Sequence, residues 1–418
     1  MIKVLRPLRH RDFGLLWAGM SVSILGDGFY QVALAWQVYL ISDAPTALSI
    51  VGAAVTLPHV LFALFAGVLS DRFERRKVLI VADLLRGIAV AAMGLLSALN
   101  QIELWHIVAL SVVFGIGESL FGPAFTALVP DLVPRDELAE ANAVDTLVRP
   151  LGLNLFGPAL GGLIIAAAGP GPALLLDAAS FAMSIAALLL MRPHPLAAGS
   201  NRGIRATLRD VAEGLNYVKG QTWLWGTLVA ALSSLLFFMG PMRVLVPFVV
   251  KHRLDGTAAD LGLVFAAGGV GSVLASLAFS QRGLPARPVV VMFVAWGIAI
   301  LMVAGFGLAT ALWQVAVVSF ATNGLAVIGQ LIWATLVGLR VPRELLGRVS
   351  SLDWMLSIGL VPVSYVATGP VAEAIGVSQT LILAGVLGGA IFLGFLLLPG
   401  IRDPSRGPQT ASSSPSRS

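Results

Sequence analysis

Cysteine is absent from this chain of 418 residues. That absence excludes disulfides, thiolate chemistry and sulfur-ligated metals, and says little about compartment, since a protein of the inner membrane has little use for disulfides. Histidine is scarce too: the five residues, at positions 10, 59, 106, 194 and 252, are scattered. No metal cluster, nucleophile triad or phosphate loop is visible, so neither an enzyme nor a cofactor is expected. Charge is the most telling shortage. Asp, Glu, Lys and Arg make up 12% of the chain, where a soluble domain carries about 25%.

What is present is apolar. Hydrophobic residues are 57% of the sequence and the mean hydropathy is +0.89. Too little polar surface remains to coat a water-soluble globule, so the bilayer must be the main solvent. A spanning helix needs about 20 apolar residues, and the chain divides into about twelve such runs: 13–40, 47–69, 78–99, 104–128, 144–168, 173–191, 223–249, 259–280, 288–308, 311–337, 350–372 and 378–398. They are numbered here as spans 1 to 12. No cleavable signal peptide is expected, because the first run is longer than a signal h-region. The net charge of +5 and the pI near 10 do not point to nucleic acid. The basic residues lie beside apolar spans, where topology control and attraction to anionic lipid explain them.

Several connections on one side are very short: Ser42–Thr46, Asn100–Glu103, Gly169–Pro172 and Ala309–Thr310. They force antiparallel neighbours. Of the 27 Lys and Arg residues, only Lys251 and Arg253 fall on that side, and Arg86, Arg149 and Arg243 fall within spans. All the others lie on the opposite side, which the positive-inside rule assigns to the cytoplasm. Both termini are therefore expected there. Residues 192–222 form a central cytoplasmic linker, in which Leu208, Val211, Leu215 and Val218 recur at helical spacing. That pattern predicts an amphipathic helix over Ala206–Lys219 on the membrane face. The tail, 399–418, rich in Ser, Pro and Arg from Arg402 on, is expected to be disordered.

The two halves repeat at an offset of 208 residues. Phe125–Val129 aligns with Trp333–Val337, Val133-Pro134-Arg135-Asp136 with Val341-Pro342-Arg343-Glu344, and Asp145 with Asp353. A six-span repeat suits a two-bundle transporter with its path between the bundles. The expected fold is therefore an all-α integral membrane protein of about twelve transmembrane helices. They would form two pseudo-symmetric six-helix bundles, residues 1–191 and 223–398.

Polar residues inside spans are candidates for function. Asp27, mid-span 1, has Gln31 one turn on; at a helix centre an aspartate costs roughly 2.5–3.5 kcal/mol on insertion scales. It reads as a substrate or proton site, or as a buried acid paired with a distant donor. Glu118, mid-span 4 between glycines, reads as a second proton-coupling acid or as a helix–helix hydrogen bond. Arg243 in span 7 could pair with an acid or bind an anionic group. In span 10, Ser319, Asn323 and Gln330 share one face and should line a cavity or a helix contact. Asp145 with Arg149, and Asp83 with Arg86, are spaced to pair, and read as structural or gating. Asp177 in span 6 could be a cavity acid, but by count lies close to the outer surface. Trp36, Trp225, Phe237, Phe238 and Trp333 could hold an apolar substrate or simply pack.

Between spans 2 and 3 stands Gly67-Val68-Leu69-Ser70-Asp71-Arg72-Phe73-Glu74-Arg75-Arg76-Lys77. Its pattern, Gly-x-Leu-x-Asp-Arg-x-x-Arg-Arg-Lys, resembles the signature loop of the major facilitator superfamily. Gly157-Pro158-Ala159-Leu160-Gly161-Gly162 in span 5 resembles the core of that superfamily's antiporter motif, with Leu153 where a fuller motif has an earlier glycine. With Leu25-Gly26-Asp27, Pro123-Ala124, Val133-Pro134 and Ala141-Asn142, the chain is similar to the branch that holds macrolide-efflux proteins and enterobactin-type siderophore exporters. The resemblance implies a proton-coupled exporter of small organic molecules in the bacterial inner membrane. Its energy would come from the proton gradient and its partners would be the substrate, protons and lipid; a monomer is the default. Gly67, Asp71, Arg72, Arg75, Arg76, Asp145, Arg149 and Asp353 would form the cytoplasmic gate, the loop acid packing on the start of span 11. Glu74 departs from the usual glycine and adds a charge that needs a partner.

Overall fold

The computed structural model describes residues 3–193 and 204–402. The side chains of residues 3, 4, 63–65, 67, 68, 70–72, 204–211 and 358 are outside that description, as is the tail from 403 on, for which disorder was expected. The described residues are almost wholly helical. Spans 1 to 4 are Arg11–Ile41, Pro45–Arg72, Arg75–Ala98 and Leu104–Leu132. Span 5 joins Leu138–Pro150, a π-helical turn at Leu151–Phe156, and Gly157–Ala168. Span 6 is Pro170–Leu190.

The second half follows the same plan. Span 7 begins as Thr222–Gly240 and continues through π-helical turns at Pro241–Leu245 and Val249–Arg253. Span 8 is Ala258–Arg282, span 9 Pro288–Leu301 with Val303–Leu308, and span 10 Leu312–Arg340. Span 11 joins Arg343–Gly359 to Val361–Ile375, and span 12 is Val377–Gly394. A further helix, Ile204–Lys219, occupies the linker, and its Val218 and Gly214 are buried.

Among the described residues, eleven helical runs are long and apolar enough to cross a membrane. Span 1 falls short of them in hydropathy although it is 31 residues long. The reason lies in its own sequence: Ser21, Ser23, Asp27, Gln31 and Gln37 interrupt the apolar run, and Ser23 and Gln37 are buried against neighbouring helices. Its polar residues face protein, and its place in the first bundle comes from packing on span 6 and the Gly-Pro segment of span 5. On the terminus-bearing side, spans 4, 5, 10 and 11 run several residues past their apolar stretches. The sequence ends each span where hydropathy falls, whereas the backbone hydrogen bonding continues into the polar margin.

The bundles meet through span 2 against span 11 and span 5 against span 8. The apolar core that crosses this seam contains Tyr39, Leu48, Val51 and Ile165 of the first half with Leu245, Val250, Leu261 and Ala372 of the second. All of these lie toward the end carrying the short connections. Toward the other end the core divides in two. One part holds Phe13, Leu16, Val78, Leu128 and Leu188; the other holds Leu224, Met292, Ile332 and Leu352. The molecule is thus joined at the short-connection end and parted at the end that carries its termini.

Candidate functional site

The seam is polar as well as apolar. The Tyr39 hydroxyl donates to the carbonyl of Val244 across the bundles at 2.8 Å, and Lys251 Nζ donates to the carbonyl of Tyr39. Arg243 donates to Gln31 Oε1 at 2.5 Å, while the Gln31 amide reaches the carbonyl of Leu153 at 3.5 Å. Arg243 and Gln31, singled out separately as binding residues, are therefore partners in the closed end. Tyr39 and Lys251 were missed, because an aromatic and a lysine at span ends read as interfacial anchors. Of the aromatic candidates, Trp36 lies here, its ring under Lys251 Nζ at 5.5 Å.

The Gly-Pro core of span 5 belongs to the same end. Gly157 and Gly161 face Gly28 and Phe29 of span 1, and Pro158 and Gly162 face Gly262 of span 8. At Gly162 the approach is closest in consequence: a Cβ would stand 2.6 Å from the carbonyl oxygen of Ala258 and 2.9 Å from the Gly262 Cα. Only glycine admits this contact between bundles.

Within the first bundle, four carboxyl groups surround one guanidinium. Arg86, 2% exposed, bonds to Asp83, one turn back on its own helix. Its other nitrogen meets Glu118 at 2.9 Å. The guanidinium also stacks on the rings of Phe121 and Phe181, 4.4 and 4.7 Å from their centroids. Asp83 takes a second bond from Ser184 at 2.7 Å. Asp27 and Asp177 complete the set, and each has a buried carboxyl oxygen with no hydrogen-bond partner. Asp177 is fully buried among the helices of the first bundle.

Two cavities open between the parted halves. One, of about 490 Å³, is walled by Phe238, Trp296, Trp333 and Phe392 of the second bundle and reaches Asn154 of span 5. Asn323 and Gln330 line it; Ser319, from the same helical face, is instead buried against Gly268. Asp353 lines it too, accepting a hydrogen bond from the Trp333 indole at 2.9 Å. It is the one titratable group among the lining residues. Trp225 and Phe237 are not part of the wall. The other cavity, of about 470 Å³, lies on the first bundle and is edged by Glu118, Asn142, Asp145 and Arg149. Asp145 and Arg149 pair with each other at 3.0 Å. One face of the cleft is aromatic with a single acid, and the other is charged.

The signature stretch is mostly helix. Gly67–Arg72 completes span 2, Arg75 opens span 3, and Phe73 and Glu74 alone make the turn. Glu74 pairs with Lys77 at 3.1 Å and Arg76 at 3.4 Å. Arg75 bonds Asp131 at the end of span 4, and Arg76 the carbonyl of Met191 after span 6. The side chains of Asp71 and Arg72 are among those not described, so the expected contact of Asp71 with the start of span 11 lies outside the described residues. The N-terminal arm adds a cluster the sequence did not signal: Glu137, 1% exposed, is held by Arg9, Arg6 and His10 at 2.5, 3.1 and 3.0 Å.

Two six-helix bundles sealed at one end, with a chambered cleft at the other, define a secondary transporter of the major facilitator fold. Solved structures of that fold overlay the chain. A bacterial homologue of the iron transporter ferroportin, in an inward-facing state, matches with a TM-score of 0.68 at 15% identity over 92% of this chain and 98% of that one. The nucleoside transporter NupG matches with a TM-score of 0.65 at 11% identity over 92% and 98%. At such identities the likeness shows the fold alone. The chain belongs to the transmembrane secretion effector family of transporters, whose model matches residues 2–413. Among curated relatives, the multidrug efflux pump Tap of Mycolicibacterium fortuitum is 29% identical over 397 residues, 91% of this chain and 94% of that protein. The enterobactin exporter EntS of Shigella boydii serotype 4 (strain Sb227) is 28% identical over 356 residues, 82% and 81% of the two chains.

Proposed function

We propose that this transporter is a proton-coupled exporter of small organic molecules, working by alternating access in a bacterial inner membrane with both termini in the cytoplasm. The observation that carries the reading is the pairing of a cleft, open at the terminus-bearing end, with the strong excess of Lys and Arg at that same end. By the positive-inside rule that end is cytoplasmic, so the conformation is the one that loads substrate from inside the cell. The bundles then correspond to residues 1–191 and 223–398. The efflux names of two relatives agree with this direction.

In this reading the aromatic cavity with Asn323, Gln330 and Asp353 receives the substrate, and Asp27 and Glu118 exchange protons. Glu118 is the acid open to the cleft, its side chain 39% exposed. When the cleft end closes, the seam formed by Tyr39, Gln31, Arg243 and Gly162 must part. The return step brings protons inward, and each elementary charge moved across 100 mV supplies about 2.3 kcal/mol. Asp145, Arg149 and the loop of Gly67, Asp71, Arg72, Arg75 and Arg76 guard the cytoplasmic end.

The test uses inverted membrane vesicles with an imposed pH gradient, acid inside. Candidates are compounds to which a deletion strain becomes sensitive or which it retains. Uptake into inverted vesicles that collapses with the gradient is expected. Accumulation on the cytoplasmic face would reverse the direction and replace the exporter with an importer on the same fold. Transport unaffected by Asp27→Asn and Glu118→Gln would remove protons from those residues.

A further inference from the structure

We propose that Asp177 is a second proton carrier: with Asp27 it forms a buried carboxyl pair that stores the coupling proton behind the cleft. This rests on the proton-coupled reading above and assigns it a site. Among the described acids around Arg86, Asp83 and Glu118 have a cationic partner and Asp27 and Asp177 have none. Asp83 and Glu118 share Arg86 between them, and Ser184 adds a bond to Asp83. The two terminal nitrogens of that guanidinium are therefore engaged, and its Nε is buried with no acceptor. Asp27 and Asp177 are left with buried oxygens, Oδ1 and Oδ2 respectively, that meet no donor.

Charged and titratable groups surround the pair from several neighbouring elements. Arg86 and Asp83 come from span 3, Glu118 from span 4 and Arg149 from span 5, and the Tyr30 hydroxyl faces it from span 1. The two cations in this set already have carboxylate partners. Ionising both members of the pair would place two uncompensated charges in a low-dielectric interior, which is among the most expensive arrangements a protein can hold. A proton on one carboxyl removes that charge and creates the missing donor.

The surroundings are shaped for it. Gly26 precedes Asp27, and a Cβ there would stand 2.4 Å from Asp177 Oδ1 and 2.4 Å from Ser180 Oγ. The glycine makes room for the Asp177 carboxyl against span 1, next in the chain to Asp27. Ser180 donates to the main-chain carbonyl of Asp177 at 2.7 Å and lies 3.3 Å from its Oδ1, an orientation that leaves Oδ2 free. Tyr30, stacked on Phe114 at 4.5 Å between centroids, is buried on the side of the sealed end. Asp27 is only partly buried and Asp177 wholly so. The order is then an acid that water reaches, with a second acid behind it. A proton arriving on Asp27 passes to Asp177, and the same proton leaves Asp177 when rearrangement of spans 1 and 6 opens a route to the other side. The transfer from Asp27 to Asp177 leaves the total charge of the pair unchanged.

The experiment is infrared difference spectroscopy of the purified full-length protein in lipid nanodiscs, titrated without substrate. A protonated carboxyl C=O band present at neutral pH is expected, and Asp177→Asn should remove or halve it while Asp27→Asn shifts its titration midpoint. Absence of the band in the unmodified protein would overturn the proposal without any variant. So would a band that survives both substitutions. Sodium chloride added at constant pH should leave the band unchanged; its loss would mean that the oxygen pair binds sodium instead. Gly26→Ala, which keeps both acids but crowds them apart, should shift the midpoint as well. Since no transport is measured, failure here leaves the exporter reading standing, and failure of vesicle transport leaves this result intact.

Discussion

Replacing Tyr39 with phenylalanine should shift the transporter toward the state open at its short-connection end. The hydroxyl makes one bond, to the main-chain carbonyl of Val244 on the opposite bundle, and both partners are buried. A buried hydrogen bond contributes about 0.5–1.5 kcal/mol net, and leaving its acceptor without a donor costs about 1–3 kcal/mol. The bond can exist only while the seam is closed, so the loss falls on one state. Taking about 1.5 kcal/mol, the ratio of closed to open seam falls roughly tenfold. A minor state at about 1% of the population would rise to about 10%. The absence of cysteine makes the measurement direct, since Gln101→Cys with Thr310→Cys supplies the two labelling sites at that end of the two bundles. Pulsed electron–electron resonance then reads the distance distribution. Growth of a longer-distance component in Tyr39→Phe is expected, with the terminus-end distance shortening in proportion. Identical distributions in the two proteins would refute the reasoning, because they would mean that the bond does not distinguish the states.

Arg86→Met should be the most damaging single change in the first bundle: it leaves Asp83 buried without its cation, about 3–5 kcal/mol by analogy with other broken buried pairs. The Arg86→Met, Asp83→Asn double variant should regain part of the thermal stability in a detergent melt. Gly162→Ala forces spans 5 and 8 apart at the 2.6 Å contact. The same label pair should report a widened seam, and transport should fall. Asp353→Asn removes the titratable group from the lining of the aromatic cavity. Binding of a cationic amphiphile such as tetraphenylphosphonium, followed by tryptophan fluorescence, should weaken about tenfold, an ionic hydrogen bond being worth about 1.5–3 kcal/mol, while a neutral analogue binds unchanged. Glu137→Gln should lower the melting temperature modestly. Its two arginine partners are half exposed, so solvent screening limits the loss to about 1 kcal/mol.

Much of this architecture is legible in hydropathy and charge, because a bilayer leaves the chain few choices. The short connections, the repeat around Val133-Pro134 and Val341-Pro342, and the signature stretch were all readable as letters. The site was less so. Asp83 and Arg86 can be paired from their spacing, but the third member, Glu118, lies 32 positions beyond Arg86 and no local pattern announces it. Counting along span 6 gives Asp177 a depth and says nothing about which helix faces the carboxyl, which is wholly buried by its neighbours. Arg243 invites an anionic partner by its charge, yet meets the amide of Gln31, a choice made by how two bundles dock. Hydropathy also ranks span 1 last among the twelve, although it carries the residues around which both the acid cluster and the seam are built. Its polar letters are polar for that reason.

The closed end has a feature that bears on how such a protein can change over generations. Its long-range bonds from Tyr39, Lys251 and Arg253 all include a main-chain carbonyl as acceptor: Val244, Tyr39 and Gly307 respectively. Any amino acid supplies that oxygen. Conservative drift at position 244 therefore leaves the acceptor in place, whereas Gly307 is held by a main-chain contact that a Cβ would meet at 2.6 Å. The lining of the aromatic cavity is more open to change, since the amides of Asn323 and Gln330 and the carboxyl of Asp353 belong to side chains. Selection can rewrite what the cleft accepts, residue by residue, while the hinge end keeps its grip.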